Sequence, residues 1–375
     1  MKPPIRIGLI GCGRLAQQVH LPLLQHLPDF QLTALAESDP ARRAEAARRA
    51  PPARAFESAE ALLASGLAEA VLISTPSHLH AAPAEAALRA GLHVYLEKPI
   101  ASTLDDGRRL VAAGRASGRV ALVGFNYRFH PLYAALRQVT QSGALGALTT
   151  LTTQFTTPPR ELPVWKRARV TGGGVLLDLA SHHIDLVRWL TGQEVAAASA
   201  VLRSVHTQDD NAEVVLRLTG GAVARSEFSF TTRDVDRVLV TGAAGVAGVD
   251  RYRSWLVERA PVAEGAARWW QLARAGPALL GSPVLRHKLS RSRAEPSYAA
   301  ALAHFAAAVR GEVAAAPSLE DGLRALEVIS AAEASAQAGA PVSVTPSAAL
   351  PLLGAAEQGG PGRPSPEQDS WKANR

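Results

Sequence analysis

Only one cysteine, Cys12, occurs in 375 residues. That excludes an intrachain disulfide and a cysteine-based zinc site. No stretch is long and apolar enough to span a bilayer. No G-x-S-x-G elbow is present, so a serine hydrolase has no support. No repeat appears at solenoid periods. The surplus of positive charge is small: 40 Lys+Arg against 33 Asp+Glu, a formal net charge of +7. No nucleic-acid recognition motif accompanies those residues, so a modest anionic ligand is favoured over nucleic acid. Leu9-Ile10-Gly11-Cys12 has the outline of a lipoprotein cleavage box. The apolar run before it is too short for a signal peptide and is broken by Arg6, so a cytoplasmic protein is expected.

What is present is ample apolar matter, 47% of the residues, enough for two or three domains with real cores. In the first third, short apolar runs alternate with longer Ala-, Leu- and Arg-rich stretches. Ile5–Ile10, Leu32–Ala36, Ala70–Ser74, His93–Leu96 and Val120–Val123 read as strands, with helices such as Leu104–Ala116 between them. That alternation predicts an α/β Rossmann-type domain over 1–125, a parallel sheet with helices on both faces. After Phe125 the strands Ala147–Phe155, Val195–Val205, Ala212–Leu218, Ala222–Phe230 and Val235–Val240 come mostly without intervening helices. They predict an α+β domain over 126–346 with a largely antiparallel open sheet. Gly220-Gly221 marks a hairpin within it. The basic, Trp-rich stretch 251–295 reads as an excursion, and 347–375 as a disordered tail.

Gly11-Cys12-Gly13-Arg14-Leu15-Ala16 fits the G-x-G-x-x-G/A pattern, and it follows a strand and opens a helix. Glycines there permit a tight turn and let main-chain amides approach a pyrophosphate at a helix N-terminus. Glu37 ends the second strand and suits ribose hydroxyls, which favours NAD. Arg42 and Arg43 lie close enough to leave NADP open. Ser74-Thr75-Pro76 through His80 and Glu97-Lys98-Pro99 both leave strands at the edge where ligands of open parallel sheets sit.

Asp178 and His182 are spaced i, i+4, and His182 and Asp185 i, i+3. On a helix all three share a face among leucines, where a buried charge needs a partner or a purpose. A structural carboxylate–histidine pair and a reactive cluster both satisfy that pattern. A metal site built on Asp178, His182, His78 and His80 matches no strong zinc spacing, so no metal is expected.

Taken together, these segments resemble the Gfo/Idh/MocA family of oxidoreductases. The likeness extends through Gly124–Pro131, Gly172-Gly173-Gly174 to Asp185, and Ser318–Gly322. It implies hydride transfer between a nicotinamide cofactor and a secondary alcohol or ketone of a sugar, cyclitol or derivative. His182 is then the general acid or base, Lys98 the alkoxide partner, and Asp178 the residue that binds a substrate hydroxyl. Asn126, Arg128, Trp165 and Lys166 are implied, more weakly, to line the substrate pocket. A homodimer or homotetramer is also implied. Two other functions fit the same segments: an NAD-dependent glycosidase working through transient oxidation, and a non-catalytic dinucleotide-binding regulator.

Overall fold

The computed structural model describes residues 2–261 and 295–345. Most of the expected 251–295 excursion and the expected 347–375 tail lie outside them.

Six strands form the first sheet: β1 (Ile5–Ile10), β2 (Phe30–Ala36), β3 (Arg54–Phe56), β4 (Ala70–Ile73), β5 (His93–Leu96) and β6 (Ala121–Val123). All pair in parallel, in the order β3-β2-β1-β4-β5-β6. Every residue of β4 is at 0% exposure, as helices covering both faces require. Three connecting helices start at side-chain caps: Asp39 accepts from the Arg42 amide, Ser58 from Ala61 and Thr103 from Asp106. The order reverses direction between β1 and β4. In an open parallel sheet the crevice outside the carboxyl ends at that switch point is where ligands bind.

The second sheet contains β7 (Leu148–Thr156), β8 (Val195–Arg203), β9 (Asn211–Leu218), β10 (Val223–Ser229), β11 (Val235–Gly242), β12 (Gly245–Asp250), β13 (Glu258–Pro261) and β14 (Val342–Ser343). Its order is β13-β12-β11-β7-β10-β9-β8-β14. Every pair is antiparallel except β7 with β10. That exception is possible because a helix and two further strands separate β7 from β10, leaving chain enough for a crossover. The β9–β10 hairpin turns at Gly220-Gly221, where Gly221 takes φ +89°. Along β9, Ala212, Val214, Leu216 and Leu218 point inward, while Glu213, Val215 and Arg217 face out.

Two late helices fasten the sheets together. The helix Pro296–Val309 sets Ala301, Leu302 and Phe305 into one cluster with Ile5, Ile7 and Leu9. Phe305 meets Tyr95 of β5 edge-on at 5.7 Å. The helix Leu319–Ala338 begins with a reciprocal capping box between Ser318 and Asp321. Its Leu323 and Leu326 lie against Gly107, where an added Cβ would stand 3.0 Å and 3.4 Å from them. A glycine at that point lets this helix approach Leu104–Ser117 closely.

Candidate active site

The glycine loop is built by close approach on one side and open space on the other. Gly11 takes φ +87°, and a Cβ there would lie 2.8 Å from the Ser74 carbonyl. The loop after β1 therefore packs directly on the loop after β4, against Ser74 and Thr75. At Gly13 a Cβ would meet nothing within 4 Å. That clear approach to the backbone is what a pyrophosphate needs. Arg14 and Leu15 open the helical stretch that continues through Ala16–His20 and Leu21–His26, and Ala16 is fully buried against the sheet. The first amides of such a stretch have no intrahelical partner and face the same approach. These residues fit a dinucleotide.

Glu37 is buried at the end of β2, and its carboxylate accepts from the Cys12 amide at 2.8 Å and the Asp39 amide at 3.0 Å. The Arg42 guanidinium reaches it at 3.1 Å and is half exposed. Cys12 itself is sealed: burial first, then the Glu37 charge, push its thiol pKa up to about 12. It is a small residue that fits, not a nucleophile.

At the end of β5, Glu97 is buried and pairs with His20 at 2.8 Å. His20 comes from the helix of the glycine loop, so this pair ties the two strand ends together. His80 is also buried, with its ring nitrogens 2.7 Å from the Pro99 carbonyl and 3.0 Å from that of Thr75. It braces the backbone behind Lys98 and offers no ring nitrogen to a cofactor.

Lys98 reaches across from the first domain to the second. Its ammonium donates to the main-chain carbonyl of Asp178 at 2.8 Å and to the Asp178 carboxylate at 3.1 Å. Lys166 donates to the other carboxylate oxygen at 2.8 Å. Burial alone would raise the Asp178 pKa, but the Lys166 and Lys98 charges outweigh it and hold the carboxyl far below its ordinary range. Burial also lowers the pKa of Lys166. The approach of these segments depends on Gly172 and Gly173. Gly172 takes φ +87°, accepts a hydrogen bond from the Ser77 hydroxyl at 3.1 Å, and has no room for a Cβ, which would fall 2.6 Å from that oxygen. A Cβ at Gly173 would overlap the Lys166 carbonyl.

His182 stacks on Tyr127, with ring centroids 4.2 Å apart and planes at 18°, and Phe155 closes another side at 6.2 Å. Its Nδ1 is buried without a partner among the described residues. Burial, followed by the positive charge of Lys98, pushes the His182 pKa well below 6.5. The imidazole is therefore neutral at neutral pH, the form a general base requires.

The helix does not keep all three expected residues on one site. A π-type turn over Leu176–Ala180 precedes the α-helix Ser181–Thr191. Asp178 turns to Lys98 and Lys166 and His182 to Tyr127, whereas Asp185 turns to Arg128 at 2.6 and 2.8 Å. Arg128, expected at the pocket lining, is buried and also reaches Asp321 at 3.0 Å. Burial opposes its charge, but Asp185 and Asp321 outweigh it and raise its pKa further. Its role is to lock the helix Ser181–Thr191 to the late helix Leu319–Ala338. Asn126 donates to Ser297 at 2.8 Å, joining the domain junction to the late helix. Trp165 lies beside Lys166, whose ammonium sits 5.3 Å from the indole ring.

With that geometry in place, two family models divide the chain. Residues 5–125 match the oxidoreductase family with an NAD-binding Rossmann fold, and residues 133–247 match the GFO/IDH/MocA C-terminal domain. Inositol 2-dehydrogenase of Rhizobium meliloti (strain 1021) is 30% identical over 339 residues, which is 88% of this chain and 96% of that protein. The chain belongs to the GFO/IDH/MocA family. A dTDP-3,4-didehydro-2,6-dideoxy-alpha-D-glucose 3-reductase of Streptomyces violaceoruber is 36% identical over 199 residues, 53% of this chain. The match spans only 58% of that reductase. Among solved structures, levoglucosan dehydrogenase in complex with NADH and L-sorbose superposes with a TM-score of 0.79 at 25% identity, covering 91% of this chain and 99% of that one.

Within this GFO/IDH/MocA chain, sequence reasoning passed over Tyr127 and Phe155 as parts of the site. Tyr127 stood inside a recognised segment, Gly124–Pro131, but nothing local reveals a stacking partner 55 residues onward. Among the described residues no helix is long and apolar enough to cross a membrane.

Proposed function

We propose that this protein is a nicotinamide-dependent oxidoreductase that interconverts a secondary alcohol and a ketone on a sugar, cyclitol or sugar derivative. What carries the reading is the convergence of Lys98 and Lys166 on Asp178, with His182 beside them, at the switch-point edge that holds the glycine loop. The relatives support the substrate class, since their names cover an inositol, an anhydrosugar and a dTDP-sugar.

In the oxidative direction Nε2 of His182 takes the hydroxyl proton. The Lys98 ammonium donates to the oxygen as negative charge grows on it, a task worth several kcal/mol in a dry site. Asp178, kept anionic by its two lysines, accepts from a neighbouring substrate hydroxyl and fixes which carbon is presented. The bound oxidised nicotinamide supplies the hydride acceptor. Loss of proton and hydride leaves the ketone, and the reverse sequence reduces it. Glu37 is a carboxylate at the end of β2 and repels a 2′-phosphate, so NAD is the cofactor in this reading.

The test is thermal unfolding with NAD, NADH, NADP and NADPH, followed by a polyol oxidation screen with the cofactor that binds. Native-state binding raises stability by about 2.7 kcal/mol at roughly 100 times the dissociation constant. NADH stabilising more than NADPH, with turnover on at least one cyclitol or sugar, is the expected result. No stabilisation by any of the four, from protein shown to carry no nicotinamide, rejects the reading. Stronger stabilisation by NADPH rejects the assignment of Glu37.

A further inference from the structure

An open cavity of about 370 Å³ lies next to the Lys166 segment, lined in part by Arg160, Leu162, His206, Thr207, Phe230 and Thr231. We propose that it is an oxyanion subsite, with Arg160 as its cation, that reads an acidic group carried by the substrate. The proposal rests on the sugar-oxidoreductase reading above and narrows its substrate class.

Two loops make the walls, and both are tied to the reactive centre. The first, 158–163, continues from β7, whose Phe155 packs beside His182. It runs straight into the turn that carries Lys166, where the Lys166 amide donates to the Pro163 carbonyl at 2.9 Å. The second, 204–210, joins β8 to β9. The Asp210 carboxylate shapes it by accepting from the Val205, His206 and Thr207 amides at 2.9, 2.7 and 2.8 Å. This loop grips the segment between Lys166 and Asp178: the Arg169 amide donates to Gln208 at 2.9 Å, and the Val175 amide to the Asp209 carbonyl at 2.8 Å. Arg167 closes the frame by donating to the Leu162 carbonyl at 2.9 Å. The 158–163 segment thus borders this cavity and leads directly into Lys166, whose ammonium holds Asp178.

The charge of the cavity follows from which groups are already engaged. Asp210 is occupied by three amides and by Asn211 at 2.8 Å. Glu161 also lines the cavity, with its side chain 92% exposed and Arg167 at 3.6 Å. Arg160 makes no ion pair or side-chain hydrogen bond among the described residues, and neither does the His206 ring. Arg160 is also near enough to Lys166 for its charge to help lower the lysine pKa. Leu162 and Phe230 are buried beneath, giving the cavity an apolar floor. A guanidinium without a protein partner, over an apolar floor and beside donor-bearing side chains, matches a carboxylate or a phosphate, which it binds through two parallel N–H donors.

The experiment is calorimetric titration of the full chain saturated with NADH, using dTDP, glucuronate and inorganic phosphate as separate probes. Saturation with NADH keeps the probes out of the cofactor cleft. At least one probe is expected to bind. Arg160→Ala then weakens it by about tenfold or more. Arg160→Lys recovers part of the loss, and the melting temperature and NADH affinity do not change. Preference for dTDP identifies a phosphate, and preference for glucuronate a carboxylate. Binding of NADH with no binding of any probe overturns the subsite alone. So does equal affinity in Arg160→Ala and wild type. Failure to bind NADH removes the oxidoreductase reading itself.

Discussion

Asp178 and Asp185 sit seven residues apart on one helical stretch, and both are withdrawn from solvent, with side-chain exposures of 14% and 1%. Their partners separate them. Asp185 meets the planar fork of Arg128, bidentate and buried, and Arg128 gathers Asp321 from a helix far along the chain. Asp178 meets two lysines that come from different segments and are less deeply buried than Arg128. Arginine suits a permanent, geometrically fixed contact, whereas a lysine ammonium on a flexible stem exchanges one acceptor for another more readily. A buried carboxylate is thus not in itself a sign of chemistry. The kind of cation opposite, and whether a ligand can reach it, decides between scaffold and site.

The sharpest break between the two regions is His182→Gln against Asp185→Ala. Removing His182, the proposed proton acceptor, lowers turnover by about 10²–10⁴ with melting temperature and NADH affinity retained. Removing Asp185 leaves a buried arginine short of its main partner and costs about 3–5 kcal/mol of stability, read by denaturant unfolding. If His182→Gln unfolds the protein, or Asp185→Ala leaves stability unchanged, the division fails.

The glycine loop sharpens the same contrast at smaller cost. Gly13→Ala places a methyl in open space, so the melting temperature holds while NADH affinity falls by about tenfold, measured by fluorescence titration. Gly11→Ala strains a left-handed residue against Ser74 and lowers stability as well. Equal behaviour of the two variants contradicts the split between a packing glycine and a binding one.

The smallest effect is on pH. His182 lies near Lys98, Asp178, Asp236 and His183, and of these Lys98 contributes most to lowering its pKa after burial. The acid limb of kcat/KM therefore lies below pH 6.5 in the wild type. In Lys98→Met the positive charge is gone, the His182 pKa rises, and the limb of the residual activity moves to higher pH. An unmoved limb means His182 is not the titrating base.

Much of the fold was legible because apolar periodicity is local. β1 and β5 fall where the runs Ile5–Ile10 and His93–Leu96 predict. β3 escaped because Arg54–Phe56 is three residues with an exposed arginine and no apolar run. β12 escaped because Gly245 and Gly248 dilute its signal. Of the site, the glycine loop and Lys98 could be read from motif and position, and Asp178 with His182 from their spacing. The inward turn of Asp185 could not. It depends on a π-type turn in the preceding residues and on Arg128, 57 positions away. The grip of 204–210 on the Lys166 segment is likewise made by residues brought together only by the second sheet.

Among the described residues, Lys98 is the side chain that spans from the cofactor domain to Asp178. Its direct test is Lys98→Met, with nicotinamide turnover and NADH affinity measured on the same preparation. The expected result is a loss of turnover of about 10²–10³ with NADH affinity unchanged. Turnover equal to wild type would contradict the assignment of this cleft as the site of hydride transfer.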